Sequence, residues 1–143
     1  QIAEALAQGA VAHIEPFAED DGAAYLTPQI LTNVTHDMRV MRDESFGPVV
    51  GIMKVSSDEE AIRLMNDSEF GLTVSLWTKD VERAETIGDQ LETGTVFMNR
   101  ADYLDPGLCW TGCKNTGRGG GLSVIGYQNL TRPKSYHLKK VTA

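Results

Sequence analysis

The chain has 143 residues, with 41% hydrophobic and 23% charged side chains, a composition typical of a globular protein with one substantial core. Its net charge of −7 argues against a surface that binds nucleic acid or an anionic membrane, because such surfaces concentrate basic residues. No apolar run approaches the roughly 20 residues that span a bilayer, and we find no signal peptide. Two cysteines, Cys109 and Cys113, are too few for a disulfide framework, so we predict a cytoplasmic protein.

The first nine residues have the pattern of a helix end. Ile2, Ala3 and Leu6 share one helical face, and Gly9 suits the position just past a helix C-terminus. The segment has no starting Met and no capping residue, and it is too short for an independent helix. We therefore predict that residues 1–9 are the tail of a helix from an upstream part, and that the chain is the C-terminal piece of a larger protein.

The next segments are short and interrupted. Residues 10–14 form an apolar run that predicts a strand, and residues 15–22 form an acidic, exposed loop. Residues 24–34 carry side chains typical of a strand, but Pro28 removes one backbone donor. This strand should therefore lie at a sheet edge or be broken at the proline.

A regular alternation of strands and amphipathic helices follows. The pattern predicts strands over residues 49–55, 71–78 and 95–98, with one helix after each of the first two strands. Short links between such elements favour parallel pairing and right-handed crossovers. The predicted fold class is α/β, with a βαβαβ layer and a mostly parallel sheet.

Both predicted helices begin with a capping residue. The Ser57 hydroxyl can accept from the Glu60 amide, and the Glu60 side chain can reach back to the Ser57 amide, which is a capping box. Asp80 can cap the second helix. The positions predicted to face inward are Ala61, Ile62, Leu64 and Met65 in the first helix, and Val81, Ala84, Ile87, Gly88 and Leu91 around the second.

The turns of this layer lack a phosphate-binding signature. Such a turn needs glycines so that the backbone can approach a pyrophosphate. Here the first turn carries Asp58 and Glu59, whose charges would repel phosphate, and the second turn contains Lys79 but no glycine. We therefore do not expect this layer to bind the phosphates of a dinucleotide.

One stretch before the first regular strand stands out chemically. It holds Glu44 and Phe46 two residues apart, and Gly47-Pro48 sets the turn beyond them. A carboxylate can accept hydrogen bonds from a diol, and an aromatic ring can stack on a flat heterocycle. Two structural alternatives stay open: Glu44 forms a salt bridge with Arg39 or Arg42, and Phe46 belongs to the core.

Residues 99–121 are long for a structureless loop, and such loops are usually functional or disordered. The segment starts at the end of a predicted parallel strand, where α/β proteins usually form their sites. Lys114, Arg118 and the neighbouring glycines can form an anion-binding nest, with a simple flexible loop as the alternative.

Neither a cysteine nucleophile nor a metal site is predicted. A thiol needs a lowered pKa and a nearby base, and no histidine lies close in sequence to Cys109 or Cys113. Zinc needs about four ligands, whereas His13, His36 and His137 are scattered along the chain.

Four segments, in this order, resemble the aldehyde dehydrogenase superfamily, and the resemblance runs from about Tyr25 through most of the chain. The four segments are Glu44-Ser45-Phe46-Gly47-Pro48 (E-x-F-G-P), residues 66–72 (N-x-x-x-Y/F-G-L), residues 94–99 (G-x-v-x-x-N) and residues 112–117 (G-x-K-x-S/T-G).

The resemblance implies oxidation of an aldehyde to a carboxylic acid, with NAD or NADP as cofactor and a thioester on a cysteine nucleophile. By the family pattern, Glu44 would hold the hydroxyls of the nicotinamide ribose and Phe46 would contact the nicotinamide. Leu104 and Trp110 match loop positions that line the family's substrate tunnel. An aromatic wall and a ribose clamp fit a reaction in which positioning is much of the catalysis.

The resemblance also implies partners. The family's cysteine nucleophile, general-base glutamate, oxyanion asparagine and dinucleotide-binding domain would lie upstream in the same polypeptide, so the 143-residue chain alone is expected to be inactive. We predict a catalytic-lobe α/β domain over residues 10–132. Residues 133–143 alternate roughly like a strand and match the family's oligomerisation strand, which predicts a homo-oligomer.

Two departures from the family pattern affect the loop path. Cys109-Trp110-Thr111-Gly112 stands where many members have P-F-G-G, and a run of three glycines follows at residues 119–121. Two other functions stay open: a non-catalytic α/β binding or oligomerisation module, and a CoA-acylating or acyl-reducing relative.

Overall fold

The computed structural model describes residues 1–15, 26–101 and 103–141. Two compact units form within the chain, residues 1–68 and residues 69–143. Most of the predicted acidic loop and the first two residues of the predicted strand 24–34 lie outside the described residues, as do the last two of the predicted terminal strand. The predicted division into a helix tail, a catalytic lobe and a terminal strand stays a prediction.

The first unit is built around a three-stranded mixed sheet. The sheet order is β1-β2-β3, with β1 antiparallel and β3 parallel to the central strand β2. The elements of this unit are α1 (Ile2–Ala7), β1 (Val11–Ala12), β2 (Gln29–Thr32), α2 (Arg39–Arg42), β3 (Val49–Gly51) and α3 (Asp58–Asn66).

The core of the first unit centres on Leu31 of β2 and Met38, which are 0% and 2% exposed. Burying side chains of this size contributes about 1.5–3 kcal/mol each to folding. The remaining members of this core are Ala5, Ala10, Val34 and Val40, with Met41, Val49 and Met53 packed against them.

Helix α1 ends as predicted, just before Gly9. Gly9 has a φ of +100°, and the amides of Gly9 and Ala10 donate to the carbonyls of Leu6 and Ala5 at 3.1 and 2.9 Å. This pair of bonds is a Schellman motif, which requires a left-handed residue at the glycine. Of the residues that share the apolar face, Ala3 is exposed and Leu6 is 42% exposed, whereas Ala5 is buried.

Strand β2 begins directly after Pro28, so the strand is broken at the proline, as one of the two alternatives predicted. The remaining strand is the central one of its sheet, where a proline would have removed a ladder bond. Strand β3 is shorter than the predicted 49–55 and is not fully buried, since Val50 is 52% exposed. One further ladder bond, from the Ile52 amide to Leu31, extends it at 2.8 Å.

The second unit confirms the strand–helix–strand part of the prediction. Strands β5 and β6 pair in parallel on either side of α4 in sequence, and the other two strand pairs, β4–β8 and β7–β9, are antiparallel. The elements are β4 (Phe70–Gly71), β5 (Thr73–Leu76), α4 (Val81–Gly88), β6 (Thr95–Met98), β7 (Trp110–Thr111), β8 (Cys113–Lys114), β9 (Gly120–Gly121) and α5 (Ser123–Asn129). The chain therefore has an α/β fold, but the pairing of the described strands is mixed rather than mostly parallel as predicted, with β3 beside β2 in one sheet and β5 beside β6 in another.

The predicted helix caps are largely confirmed. The Ser57 hydroxyl accepts from the Glu60 amide at 3.2 Å, and Asp80 accepts from the Arg83 amide at 3.0 Å. One detail was wrong: the Glu60 carboxylate binds the amide and hydroxyl of Ser56, at 2.7 and 2.6 Å, rather than the Ser57 amide. Ser56 offers two donors to one carboxylate oxygen, which a single amide at Ser57 cannot match.

The predicted inward faces are only partly buried. In α3 no residue is fully buried, and Met65 is 41% exposed. In and after α4, Ala84 and Leu91 are 5% and 8% exposed, as predicted, whereas Val81 is 56% exposed. Val81 is the first residue of α4, directly after the cap at Asp80. The other predicted positions are half-buried.

The segment predicted as a long loop contains three short strands, β7 to β9, held by close backbone approaches. A Cβ on Gly94 would lie 1.7 Å from the Thr111 carbonyl oxygen, and a Cβ on Gly71 would lie 2.1 Å from the Glu92 carbonyl oxygen. Glycine is therefore required where these strands and turns cross.

Residues 132–141 contain no helix or strand within the described part of the chain. Leu138 and Val141 are 85% and 87% exposed. A lone strand has no ladder partner, so the predicted oligomerisation strand stays a prediction. Among the described helices, none is long and apolar enough to cross a membrane.

Candidate functional site

The Glu44–Pro48 turn connects α2 to β3 and is tied to the sheet at its end. Helix α2 stops at Arg42, and Asp43 turns the backbone to an extended conformation with a ψ of 150°. At the other end, the Gln29 amide donates to the Pro48 carbonyl at 2.8 Å, next to the first rung of the parallel β2–β3 ladder. The turn is therefore fixed between a helix end and a central strand.

Phe46 projects from this turn into solvent. Its side chain is 96% exposed, and its backbone has a φ of +44°. A left-handed conformation costs a residue with a side chain about 1–2 kcal/mol. The alternative in which Phe46 is a core residue is wrong. Residues held in rarely populated backbone regions cluster at functional sites, which motivates a binding role for this turn.

Glu44 is exposed and has no ion pair or hydrogen bond among the described residues. Arg39 pairs with Asp43 at 2.7 Å, and Arg42 pairs with Asp67 at 3.5 Å. The alternative in which Glu44 forms a salt bridge with either arginine is therefore wrong. Its carboxylate oxygens stay available for donors of a ligand.

The two predicted tunnel residues lie in the second unit, one in the loop after β6 and one at the start of β7. Leu104 is 59% exposed, and Trp110 is half-buried at the start of β7, opposite Gly121 of β9. At the start of this loop, the Asn99 side chain binds the backbone amide and carbonyl of Thr78 at 3.0 and 2.7 Å. The Ser75 hydroxyl also donates a hydrogen bond to the Arg100 carbonyl, which adds to this anchor.

The rest of this loop also has internal contacts. The Arg100 guanidinium lies 3.9 Å from the centre of the Tyr103 ring, a cation–π contact. Asp105 accepts from the Gly107 amide at 2.8 Å, and the Ser123 amide donates to the Pro106 carbonyl at 2.9 Å. Leu104 is therefore presented between two anchored ends.

The two cysteines lie in and next to the short strands of the second unit. Cys109 and Cys113 are free and half-buried, and neither has a histidine partner among the described residues. The Lys114 ammonium lies 2.6 Å from the Glu92 carboxylate. The main cation of the predicted anion nest is therefore already paired with an acid, which weakens that hypothesis. Gly117 and Gly119 have positive φ values, which set the backbone path of this loop but supply no positive charge for an anion.

Within the described residues, no group of three or more His, Cys, Asp or Glu side chains is placed to hold a metal ion. Two of the histidines have other partners. His36 lies 2.8 Å from Asp67, and His13 lies 2.7 Å from the Thr32 hydroxyl.

Two structurally important residues were missed by the sequence reasoning. Asn99 was noted only as the end of a motif, although asparagine directly after a strand tolerates the left-handed conformation, here with a φ of +56°. Asp43 was not singled out in the sequence. Arg39 and Asp43 are four residues apart at a helix end, a spacing that favours an ion pair between them.

Comparison with known proteins matches almost the whole chain to one family. The sequence model of the aldehyde dehydrogenase family matches residues 1–136. An aldehyde dehydrogenase of Paenarthrobacter nicotinovorans is 42% identical over 111 residues, which cover 78% of this chain and 24% of that protein. The chain thus spans about a quarter of the length of this relative.

Solved structures agree with the sequence match. The structure of Gox0499 aligns with a TM-score of 0.86 and 38% identity, over 96% of this chain and 30% of that one. A betaine aldehyde dehydrogenase from Staphylococcus aureus, solved with NAD+, aligns with a TM-score of 0.80 and 30% identity, over 90% of this chain and 26% of that one. Sequence, fold and motif order coincide, so the chain belongs to the aldehyde dehydrogenase family.

Proposed function

We propose that the chain is the C-terminal part of the catalytic lobe of an NAD(P)-dependent aldehyde dehydrogenase and forms the nicotinamide side of its cofactor site. The reaction is the oxidation of an aldehyde to a carboxylic acid, with NAD or NADP accepting the hydride. One observation carries the proposal. In the family-typical turn, Glu44 has no ion pair among the described residues and Phe46, two residues on, is 96% exposed.

The chemistry of the turn fits the nicotinamide end of the cofactor. The Glu44 carboxylate is exposed and can accept from both vicinal hydroxyls of a ribose. The exposed Phe46 ring offers a flat apolar face for the nicotinamide. When bound, the cofactor supplies the hydride acceptor, and the two side chains contribute its orientation.

We assign the substrate side to Leu104 and Trp110. Leu104 is 59% exposed on a loop anchored at both ends, and Trp110 is half-buried in the adjacent strand β7. Apolar side chains on an anchored loop suit the wall of a tunnel that holds the organic part of an aldehyde and excludes water.

The proposal places the cysteine nucleophile, the general-base glutamate and the dinucleotide-binding domain upstream in the same polypeptide. Cys109 and Cys113 are the two cysteines of this sequence, and neither has a histidine partner among the described residues. The 143-residue chain alone is accordingly expected to show no turnover. Residues 133–143 are assigned to a strand that pairs between subunits of a cytoplasmic homo-oligomer.

The second candidate is a non-catalytic binding or oligomerisation module. Exposed apolar side chains on and after α5 favour it, among them Tyr127 and Leu130, which are 76% and 87% exposed. In this alternative the Glu44–Pro48 turn only connects α2 to β3.

The test compares the full-length protein with the isolated 143-residue chain in an NAD(P)H absorbance assay over a panel of aldehydes. The proposal predicts turnover by the full-length protein and none by the isolated chain. Turnover by the isolated chain would overturn the assignment of an upstream nucleophile. A full-length protein that assembles but oxidises no aldehyde would favour the non-catalytic module.

A further inference from the structure

Two arginines lie close to Glu44 in sequence, and each of them is held by another acid. The Arg39 Nε atom lies 2.7 Å from Asp43 Oδ2, and its Nη1 atom lies 3.5 Å from Glu4 Oε2. This guanidinium therefore lies between α1 and the end of α2, directed at acids outside the Glu44–Pro48 turn.

Arg42 has a separate partner. Its Nη2 atom lies 3.5 Å from Asp67 Oδ1, while Asp67 Oδ2 lies 2.8 Å from His36 Nε2. Asp67 follows the last residue of α3, so this pair ties α2 to the end of that helix. Neither arginine forms an ion pair with Glu44 among the described residues.

This arrangement matters because guanidinium and ribose compete for the same atoms. A guanidinium presents a planar fork of N–H donors that can occupy both oxygens of a carboxylate. A ribose diol must donate to those same oxygens. A Glu44 bound to an arginine would have fewer free lone pairs for the cofactor, since a carboxylate offers about four acceptor sites in all.

The Arg39–Asp43 contact holds the Arg39 guanidinium on a different carboxylate. The two residues are four positions apart at a helix end, a spacing that brings side chains together. The hydrogen bond and charge of Asp43, followed by the charge of Glu4, raise the pKa of Arg39. Both partners are substantially exposed, at 60% and 43% of their side chains, so the pair contributes little to folding. Its position suggests a role in the site.

We propose that Asp43 is a positioning residue for the cofactor site: by holding Arg39, it keeps the Glu44 carboxylate unpaired and ready for the ribose hydroxyls. This inference rests on the proposed function of the Glu44–Pro48 turn. Asp43 itself contacts no cofactor atom under this proposal; it acts on the cofactor site only by holding Arg39.

The test uses the full-length enzyme and measures the dissociation constants of NAD(P) and ADP by fluorescence titration. The Asp43→Asn change removes the nearer of the two acidic charges on Arg39 and leaves Glu4 at 3.5 Å; on this proposal the loosened Arg39 competes for Glu44. We expect the dissociation constant of NAD(P) to rise about two- to five-fold, the range that one exposed ion pair supplies. The constant for ADP should not change, because ADP lacks the nicotinamide ribose.

Second-site variants separate this role from a structural one. Adding Arg39→Gln to Asp43→Asn removes the competing guanidinium and should restore the wild-type constant. Asp43→Glu keeps a carboxylate at the same position and should bind NAD(P) like wild type. The matched control Asp89→Asn removes an equal charge at the exposed C-cap of α4 and should have no effect.

The outcomes distinguish this inference from the proposed function. If Glu44→Gln leaves both the NAD(P) affinity and the rate of hydride transfer unchanged, the proposed role of the turn fails. If Glu44→Gln weakens binding but Asp43→Asn does not, the inference about Asp43 alone is wrong. A loss in Asp43→Asn that Arg39→Gln does not restore would also contradict it, since the loss would then have another cause.

Discussion

The Asn99 side chain binds both backbone groups of Thr78: its Oδ1 atom accepts from the amide at 3.0 Å, and its Nδ2 atom donates to the carbonyl at 2.7 Å. The contact joins the segments that follow β5 and β6, and it requires a left-handed backbone at Asn99, with a φ of +56°. It fixes the start of the loop that presents Leu104.

Replacing Asn99 should therefore destabilise the protein in two separable ways. Asn99→Gly loses the two hydrogen bonds, each worth about 0.5–1.5 kcal/mol. Asn99→Ala loses the same bonds and also places a Cβ residue in the left-handed region, which adds about 1 kcal/mol. Urea denaturation of the three proteins should rank them wild type, Gly, Ala. An alanine variant as stable as the glycine variant would contradict the backbone argument.

Gly94 should tolerate no side chain. A Cβ there would lie 1.7 Å from the Thr111 carbonyl oxygen, so Gly94→Ala must move the backbone of β6 or β7. Overpacking of this kind costs about 1–3 kcal/mol or more. The matched control is Gly121→Ala, where nothing lies within 4 Å of the added Cβ. Thermal unfolding should show a large loss for the first variant and little change for the second.

Glu60 should make part of the stability dependent on acid. Hydrogen bonds from the hydroxyl and amide of Ser56 lower the pKa of Glu60. A lowered folded-state pKa stabilises the protein above the unfolded-state pKa, and this contribution is lost as the pH falls through the folded-state value. Denaturation midpoints of wild type and Glu60→Gln should therefore converge on acidification. Parallel curves throughout the acidic range would exclude this effect.

Phe46 should affect cofactor binding far more than folding. Its ring is 96% exposed, so Phe46→Ala is expected to change the free energy of unfolding by less than about 0.5 kcal/mol. In the full-length enzyme the same change should raise the dissociation constant of NAD(P), because the nicotinamide loses an aromatic wall. A large loss of stability with normal cofactor affinity would point instead to a packing role.

Local signals in the sequence predicted local structure well. The caps at Ser57 and Asp80 depend on atoms within three residues of each other, so the pattern alone specifies them. The start of β2 after Pro28 follows from the missing amide of proline.

Features that depend on distant partners were less predictable. Ala5 rather than Leu6 faces the core of the first unit, because packing against Leu31 and Met38 selects the face of α1. The split of the predicted strand 71–78 into β4 and β5 depends on pairing with strands far along the chain. The local sequence carries no sign of either the packing partners of α1 or the pairing partners of β4 and β5.

The candidate site shows the same division. The motif placed Glu44 and Phe46 together, but periodicity could not tell an exposed ring from a buried one. The choice of partner for Arg39 was readable from its four-residue spacing to Asp43. The partner of Arg42, Asp67, lies beyond α3 and required the fold.

The most direct test of the cofactor role is the rate of hydride transfer in the full-length enzyme with Glu44→Gln. Loss of hydrogen bonds to a charged acceptor costs about 1.5–3 kcal/mol, so a single-turnover measurement of NAD(P)H formation should slow by about ten-fold or more. The affinity for ADP serves as the control and should be unchanged. A Glu44→Gln enzyme with the wild-type rate and wild-type NAD(P) affinity would contradict the assignment of this turn to the nicotinamide ribose.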